Sequence, residues 1–246
     1  MTNSKVPSTP IIGASHTPKF FLIVALVAAA IVFLGFLPTY WIPVISGADR
    51  LSTLIHVHAI FFFGWTLLFV LQTAFVSQGR VATHRRVGVL GVLWSLGTIT
   101  VGYYIALSTI SRDLDAIDGS LGAVFTIIPF SQVCMFSCFI ALGIATVKNS
   151  DVHKRFMTLA ALVVLTPALA RICIAVLGAP SVPLIFIVSN GIVVGVVWYD
   201  TRRNHRLHPV FLWGGIAILL IRIARVPFSM TSWWRSAAEA MTSWVG

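Results

Sequence analysis

HVHAIFFFGWTLLFVLQTAFVSQGRVATHRR occupies residues 56–86, and its reading decides the fold. Between His58 and Arg80 it holds no charged side chain, only an apolar run long enough to cross the roughly 30 Å hydrocarbon core of a bilayer as a helix. It then breaks at Gly79 and closes on Arg80, His84, Arg85 and Arg86. Imidazoles therefore stand at both ends of one membrane-crossing segment, and the two sets belong to opposite faces of the membrane.

The rest of the chain repeats the pattern. Only 10% of its 246 residues are charged and 58% are hydrophobic, with a mean hydropathy of +0.94. A soluble domain carries roughly 25% charged residues, so this composition cannot cover a water-exposed surface. Apolar runs fall at about 20–44, 52–78, 86–110, 120–147, 156–178, 181–199 and 209–228. Lipid offers no hydrogen-bond partner to a backbone amide, and these runs are too long for barrel strands and do not alternate as such strands do. The fold class is an all-α polytopic membrane bundle of about seven transmembrane helices. Residues 1–19 read as a flexible cytoplasmic segment, 20–228 as one transmembrane domain and 229–246 as an amphipathic interfacial helix. The run after Lys19 is too long for a signal-peptide core and reads as a first span.

Net charge is +10, but the basic residues cluster in loops between spans, which is a topology signal and not a nucleic-acid footprint. Lys5 and Lys19, then Arg80, Arg85 and Arg86, then Lys148, Lys154 and Arg155, then Arg202, Arg203 and Arg206 all fall on one side. The opposite loops hold Asp49, Arg50, Arg112, Asp113, Asp115 and Asp118. This asymmetry places the N-terminus inside and the C-terminus outside in a bacterial inner membrane. Cys134, Cys138 and Cys173 all lie within apolar runs, so no disulfide framework is visible.

An ionisable side chain inside a span is costly and marks a candidate site. Arg171, Arg222 and Arg225 qualify, the last two three apart and so on one helix face. By depth they share the outer half with His56, His58, Tyr103, Tyr104 and Asn190. The expected pocket, with His56, His58, Tyr103, Arg171, Arg222 and Arg225 as cofactor-binding residues, is cationic. It suits lipid phosphates, quinone carbonyls or haem propionates, whose oxygens an arginine fork matches. On the inner side, His84, His153 and His208 with Asp200 form a candidate set for a mononuclear metal. For a b-type haem, His56 and His58 point about 200° apart and cannot sandwich it, which leaves His84 with His153, or His58 as a single axial ligand. Gly88, Gly91, Gly97 and Gly102 suggest close helix packing, and Pro129 and Pro167 suggest kinks.

HVHAIFFFGWTLLFVLQ…HRRVG followed by HKRFM…AR resembles a broad group of uncharacterised bacterial multi-pass membrane proteins. The likeness rests on His56 or His58, His84, Arg85, Gly88, His153, Arg155, Met157 and Arg171, and covers about half the chain. It implies a multi-pass fold and assigns no chemistry. A looser likeness to transmembrane cytochromes b rests on histidines at helix ends, and their paired histidines within central helices are missing here. The functions these features admit are a redox or cofactor-binding protein carrying haem b or quinone, a transporter of a small anionic or amphipathic solute, and an accessory subunit that contacts lipid and a membrane-protein partner. A membrane hydrolase with an inner His/Asp site is a further option.

Overall fold

The computed structural model describes residues 18–48, 50–116 and 120–242. The N-terminal segment before Pro18, Asp49, Asp118 and residues 243–246 lie outside them, and so do the side chains of Arg112, Asp113 and Asp115. The described helices are α1 (Pro18–Phe36), α2 (Ile42–Ile45), α3 (Thr53–Ser77), α4 (Val81–Ala116), α5 (Ser120–Ala145), α6 (Ser150–Val163), α7 (Thr166–Leu177), α8 (Val182–Asn204), α9 (Pro209–Ser229) and α10 (Ser232–Thr242). Seven segments are long and apolar enough to cross a membrane: 19–45, 53–77, 81–111, 127–145, 150–177, 182–204 and 209–229. The protein is an all-α polytopic bundle, and side chains such as Ile23, Val89, Val194 and Leu220, each more than half exposed, are its lipid-facing surface.

Prolines shape the spans where the apolar runs alone read as continuous. Leu37–Trp41 forms a π-helical turn joining α1 to α2, with Pro38 at its start and Pro43 just beyond. The fifth span is broken between α6 and α7, where Pro167 has no N–H to offer the carbonyl one turn earlier. Pro129, by contrast, sits inside α5 without interrupting it. Of the four glycines expected to ease packing, Gly97 lies against the Phe61 ring and Gly102 against Val133, whereas Gly88 and Gly91 face open space. A closer approach occurs at Gly35, where a Cβ would stand 2.7 Å from the Ala168 Cα, so α1 crosses α7 backbone to backbone.

The fifth span is the centre of the bundle. Every residue from Thr158 to Thr166 is buried, and the core closes around them with Phe21, Val24 and Val32 of α1, Trp65 of α3, Phe136 and Phe139 of α5, and Phe211 and Ile218 of α9. Such a core holds helices together by close packing, because lipid is as apolar as the side chains it replaces. A second cluster forms where Trp234 and Ala238 of α10 bury against Ile110 of α4 and Ile127 of α5. The amphipathic C-terminal helix is therefore docked on the bundle by its apolar face.

The basic loops gather at one end. Phe20 stacks on Tyr199 with ring centroids 4.6 Å apart, Lys154 lies over the Phe21 ring, and Arg206 reaches Asp151 at 3.8 Å. We call this the basic end. Helices α4 and α6 begin earlier than their apolar runs, so His84 and His153 are in helical first turns and not in loops. The start of α6 is fixed by Asn149, whose side-chain oxygen accepts from the backbone N–H of Asp151 and Val152.

Candidate functional site

At the basic end His84 of α4 and His153 of α6 face one another, with ring centroids 6.2 Å apart and planes at 72°. Each ring is oriented from behind. His153 Nδ1 lies 2.7 Å from the Gly143 carbonyl oxygen, so Nδ1 carries the proton and Nε2 carries a lone pair. The Gln72 amide covers His84 Nδ1. In the orientation that satisfies both its ends, its nitrogen donates to Nδ1 and to the His84 carbonyl oxygen at 3.1 Å, and its oxygen accepts from Gly88 N–H at 3.0 Å. Turning the amide over would let its oxygen accept from an Nδ1–H, but would set that oxygen against the His84 carbonyl and the amide nitrogen against Gly88 N–H. Met157, one turn beyond His153, brings its sulfur against Gly143.

The other two expected metal ligands are engaged elsewhere. Asp200 is fully buried and ion-paired with Arg155, which is equally buried. Arg155 Nε and Nη2 donate to Asp200 Oδ2 at 3.0 and 2.9 Å, Nη2 also lies 3.1 Å from Oδ1, and Asn204 Nδ2 donates to Oδ1 at 3.0 Å. Arg155 Nη1 additionally donates to the Asp151 carbonyl oxygen at 2.8 Å. Both Asp200 oxygens are therefore committed. His208 caps α9, its Nδ1 accepting from Val210 N–H at 3.2 Å. Partial burial, and then the Arg155 guanidinium, hold His208 below the usual imidazole range, against the opposing pull of Asp151 and Asp200. Among the described residues no three His, Cys, Asp or Glu side chains converge as a metal-ligand set. The four-residue inner set thus divides into a facing histidine pair, a buried salt bridge at Asp200 and a helix cap at His208. The paired role of Arg155 was hidden in the sequence, where the residue reads only as a topology charge. The usable signal was a lone carboxylate at the end of an apolar span, which needs a buried partner.

The residues expected to share one pocket in the other half fall into three groups. In the first, Arg171 Nε donates to Thr39 Oγ1 at 3.1 Å and Nη1 to the Pro167 carbonyl oxygen at 3.2 Å, with the guanidinium 4.3 Å from the Phe36 ring centre. Phe36 continues to Phe62, on which His58 stacks at 5.7 Å. His56 lies beside this group, its Nδ1 3.3 Å from the Tyr40 hydroxyl. In the second, Tyr103 donates to Cys134 Sγ at 3.4 Å and packs on Phe130, while Tyr104 is half exposed.

The third group is Arg222 with Arg225. Arg222 is 2% exposed. Its Nη1 donates to Asn190 Oδ1 at 3.1 Å and Ser189 Oγ at 3.3 Å, and its Nη2 donates to Thr166 Oγ1 at 3.0 Å. All three acceptors are neutral, and Arg222 Nε has no partner. Arg225, one turn on, has Nε and Nη1 buried without a partner as well. Ser189 and Thr166 were not among the expected site residues, because hydroxyls in spans usually bond their own helix.

No family model, curated protein or solved structure matches the chain, so the geometry above carries the functional argument and what is shown is a multi-pass, all-helical membrane protein.

Proposed function

We propose that the chain is a membrane redox or cofactor-binding protein that holds one transition-metal centre, bare or as haem iron, between His84 and His153. The observation that carries this reading is the facing of two imidazoles from separate helices, each backed by a partner at Nδ1. His153 is held as ligating histidines are, its Nδ1–H donated to a backbone carbonyl and its Nε2 free to ligate. His84 would ligate through Nε2 with the Gln72 amide turned so that its oxygen accepts from Nδ1–H. The spacing agrees. A metal–imidazole bond is about 2.0 Å, so rings whose centres are about 6 Å apart are close enough for one ion to be held by a nitrogen of each. Their separation here is 6.2 Å. A donor set of imidazoles with a nearby thioether favours a soft or borderline ion, or haem iron, over calcium or magnesium. On the bias of Lys and Arg we read the basic end, and with it this pair, as the cytoplasmic face of a bacterial inner membrane.

The test is the absorption spectrum and metal content of protein purified in mild detergent. One transition metal per chain is expected in the wild type, with a Soret band if the metal is carried in haem. His84→Ala and His153→Ala should each lose it. A colourless, metal-free wild-type protein that melts normally would overturn the reading.

A further inference from the structure

The arginines of α9 pose a separate problem, independent of the histidine pair. At about 1.5 Å per residue, Arg222 lies about 10 Å and Arg225 about 6 Å inside the end of α9 that is opposite the basic loops. Neither has a carboxylate within salt-bridge distance among the described residues. A guanidinium has five N–H donors and stays charged, and leaving it in an apolar interior without a counter-charge is costly. Snorkelling does not relieve Arg222, which is 2% exposed and tied to Thr166, Ser189 and Asn190. Those contacts use its Nη1 and Nη2 donors and leave Nε unpartnered, beside a second guanidinium whose Nε and Nη1 are also buried and unpartnered. Like charges so placed repel, and a protein that needed only to crosslink α7, α8 and α9 could do so with a neutral amide.

We propose that Arg222 and Arg225 bind an anionic oxygen group, a phosphate or a carboxylate, that supplies the missing counter-charge. Two guanidinium forks offer several N–H donors to a group with two or more acceptor oxygens, and charge-assisted bonds of this kind are the strong ones. Arg225 is the less buried of the two and the nearer to the helix end, so it is the entry and Arg222 the anchor. Around them α9 exposes Ile221, Ile223, Val226 and Phe228, so a ligand arriving here meets an apolar surface with a cationic notch. That combination fits the acidic headgroup of an amphiphile. A free anion presents the same oxygens and is distinguished by experiment.

The test is thermal unfolding of the full chain in zwitterionic micelles. Phosphatidylglycerol is added in one arm, and inorganic phosphate at matched ionic strength in the other. Arg225→Gln is compared with the wild type, since a half-buried position tolerates the change better than Arg222. At roughly a hundredfold excess over its Kd, the true ligand class should raise the wild-type Tm by about 5 °C or more and leave the variant unmoved. A response to phosphatidylglycerol alone identifies a lipid headgroup, and a response to phosphate identifies a free anion. No rise in either arm, or an equal rise in Arg225→Gln, would overturn the proposal.

Discussion

Two fully buried arginines in one bundle have opposite surroundings. Arg155, at the basic end, is matched by an equally buried carboxylate, Asp200, and by the Asp151 carbonyl. Among the described residues Arg222, in the other half, bonds a threonine, a serine and an asparagine, and has Arg225 for a neighbour. The first arrangement is closed. Removing either partner deprives the other of its buried counter-charge, and nothing outside the chain is needed to complete it. The second is open, since its hydrogen bonds fix the guanidinium in place without neutralising it. The paired buried charge serves the architecture, and the unpaired one is where the proposed anion would bind.

The comparison can be broken most forcefully at the closed end. Asp200→Asn removes the buried partner of Arg155 and leaves it only the half-exposed Asp151 carboxylate, 3.4 Å from Nη1, and the expected loss of stability is about 3 kcal/mol. Replacing Arg155 by Met in the same chain should recover much of it, because a neutral pair of similar volume has no charge to desolvate. A melt of Asp200→Asn that matches the wild type would show that the pair is not the clamp described.

A smaller effect sharpens the same end. His208 is held below its ordinary titration range, first by burial and then by Arg155, with Asp151 and Asp200 pulling the other way and Arg206 adding to the depression. The unfolded chain then takes up a proton at His208 before the folded chain does. Stability is present in full above a pH of about 6.5 and declines as pH falls from there toward the depressed folded value. His208→Gln should flatten that part of the stability–pH curve, measured by urea or thermal melts, and an unchanged slope would contradict the assignment.

Much of this fold is legible in the sequence, because lipid enforces long apolar helices and the seven runs announce them. The early starts of α4 and α6 are harder to read. His84–Arg86 and Asp151–Arg155 are too polar to look like span, yet they are helical where the bundle emerges from the apolar layer. Asn149 before Ser150–Asp151 was the available cap signal. The pairing of Arg222 with Arg225 follows from their spacing of three on one helix face. The division of the outer polar residues into three groups does not, because depth along a helix is readable from the sequence while rotation about its axis depends on packing with every neighbour. The salt bridge between Arg155 and Asp200 spans 45 residues and two helices, and no local pattern announces it. The meeting of His84 with His153 lay between these cases: both stood at the expected membrane face, and the contact between α5 and α6 brought the second ring round to the first.

The most direct measurement of the contrast between the two arginines is the melting temperature of Arg222→Gln beside Asp200→Asn, in delipidated protein held in zwitterionic micelles without phosphate or acidic lipid. Relief of an uncompensated charge should offset the hydrogen bonds lost to Thr166, Ser189 and Asn190 and keep the Tm of Arg222→Gln close to that of the wild type, while Asp200→Asn falls well below it. A loss in Arg222→Gln as large as that in Asp200→Asn would show that Arg222 is already compensated within the chain, and the distinction between a closed and an open buried charge would fail.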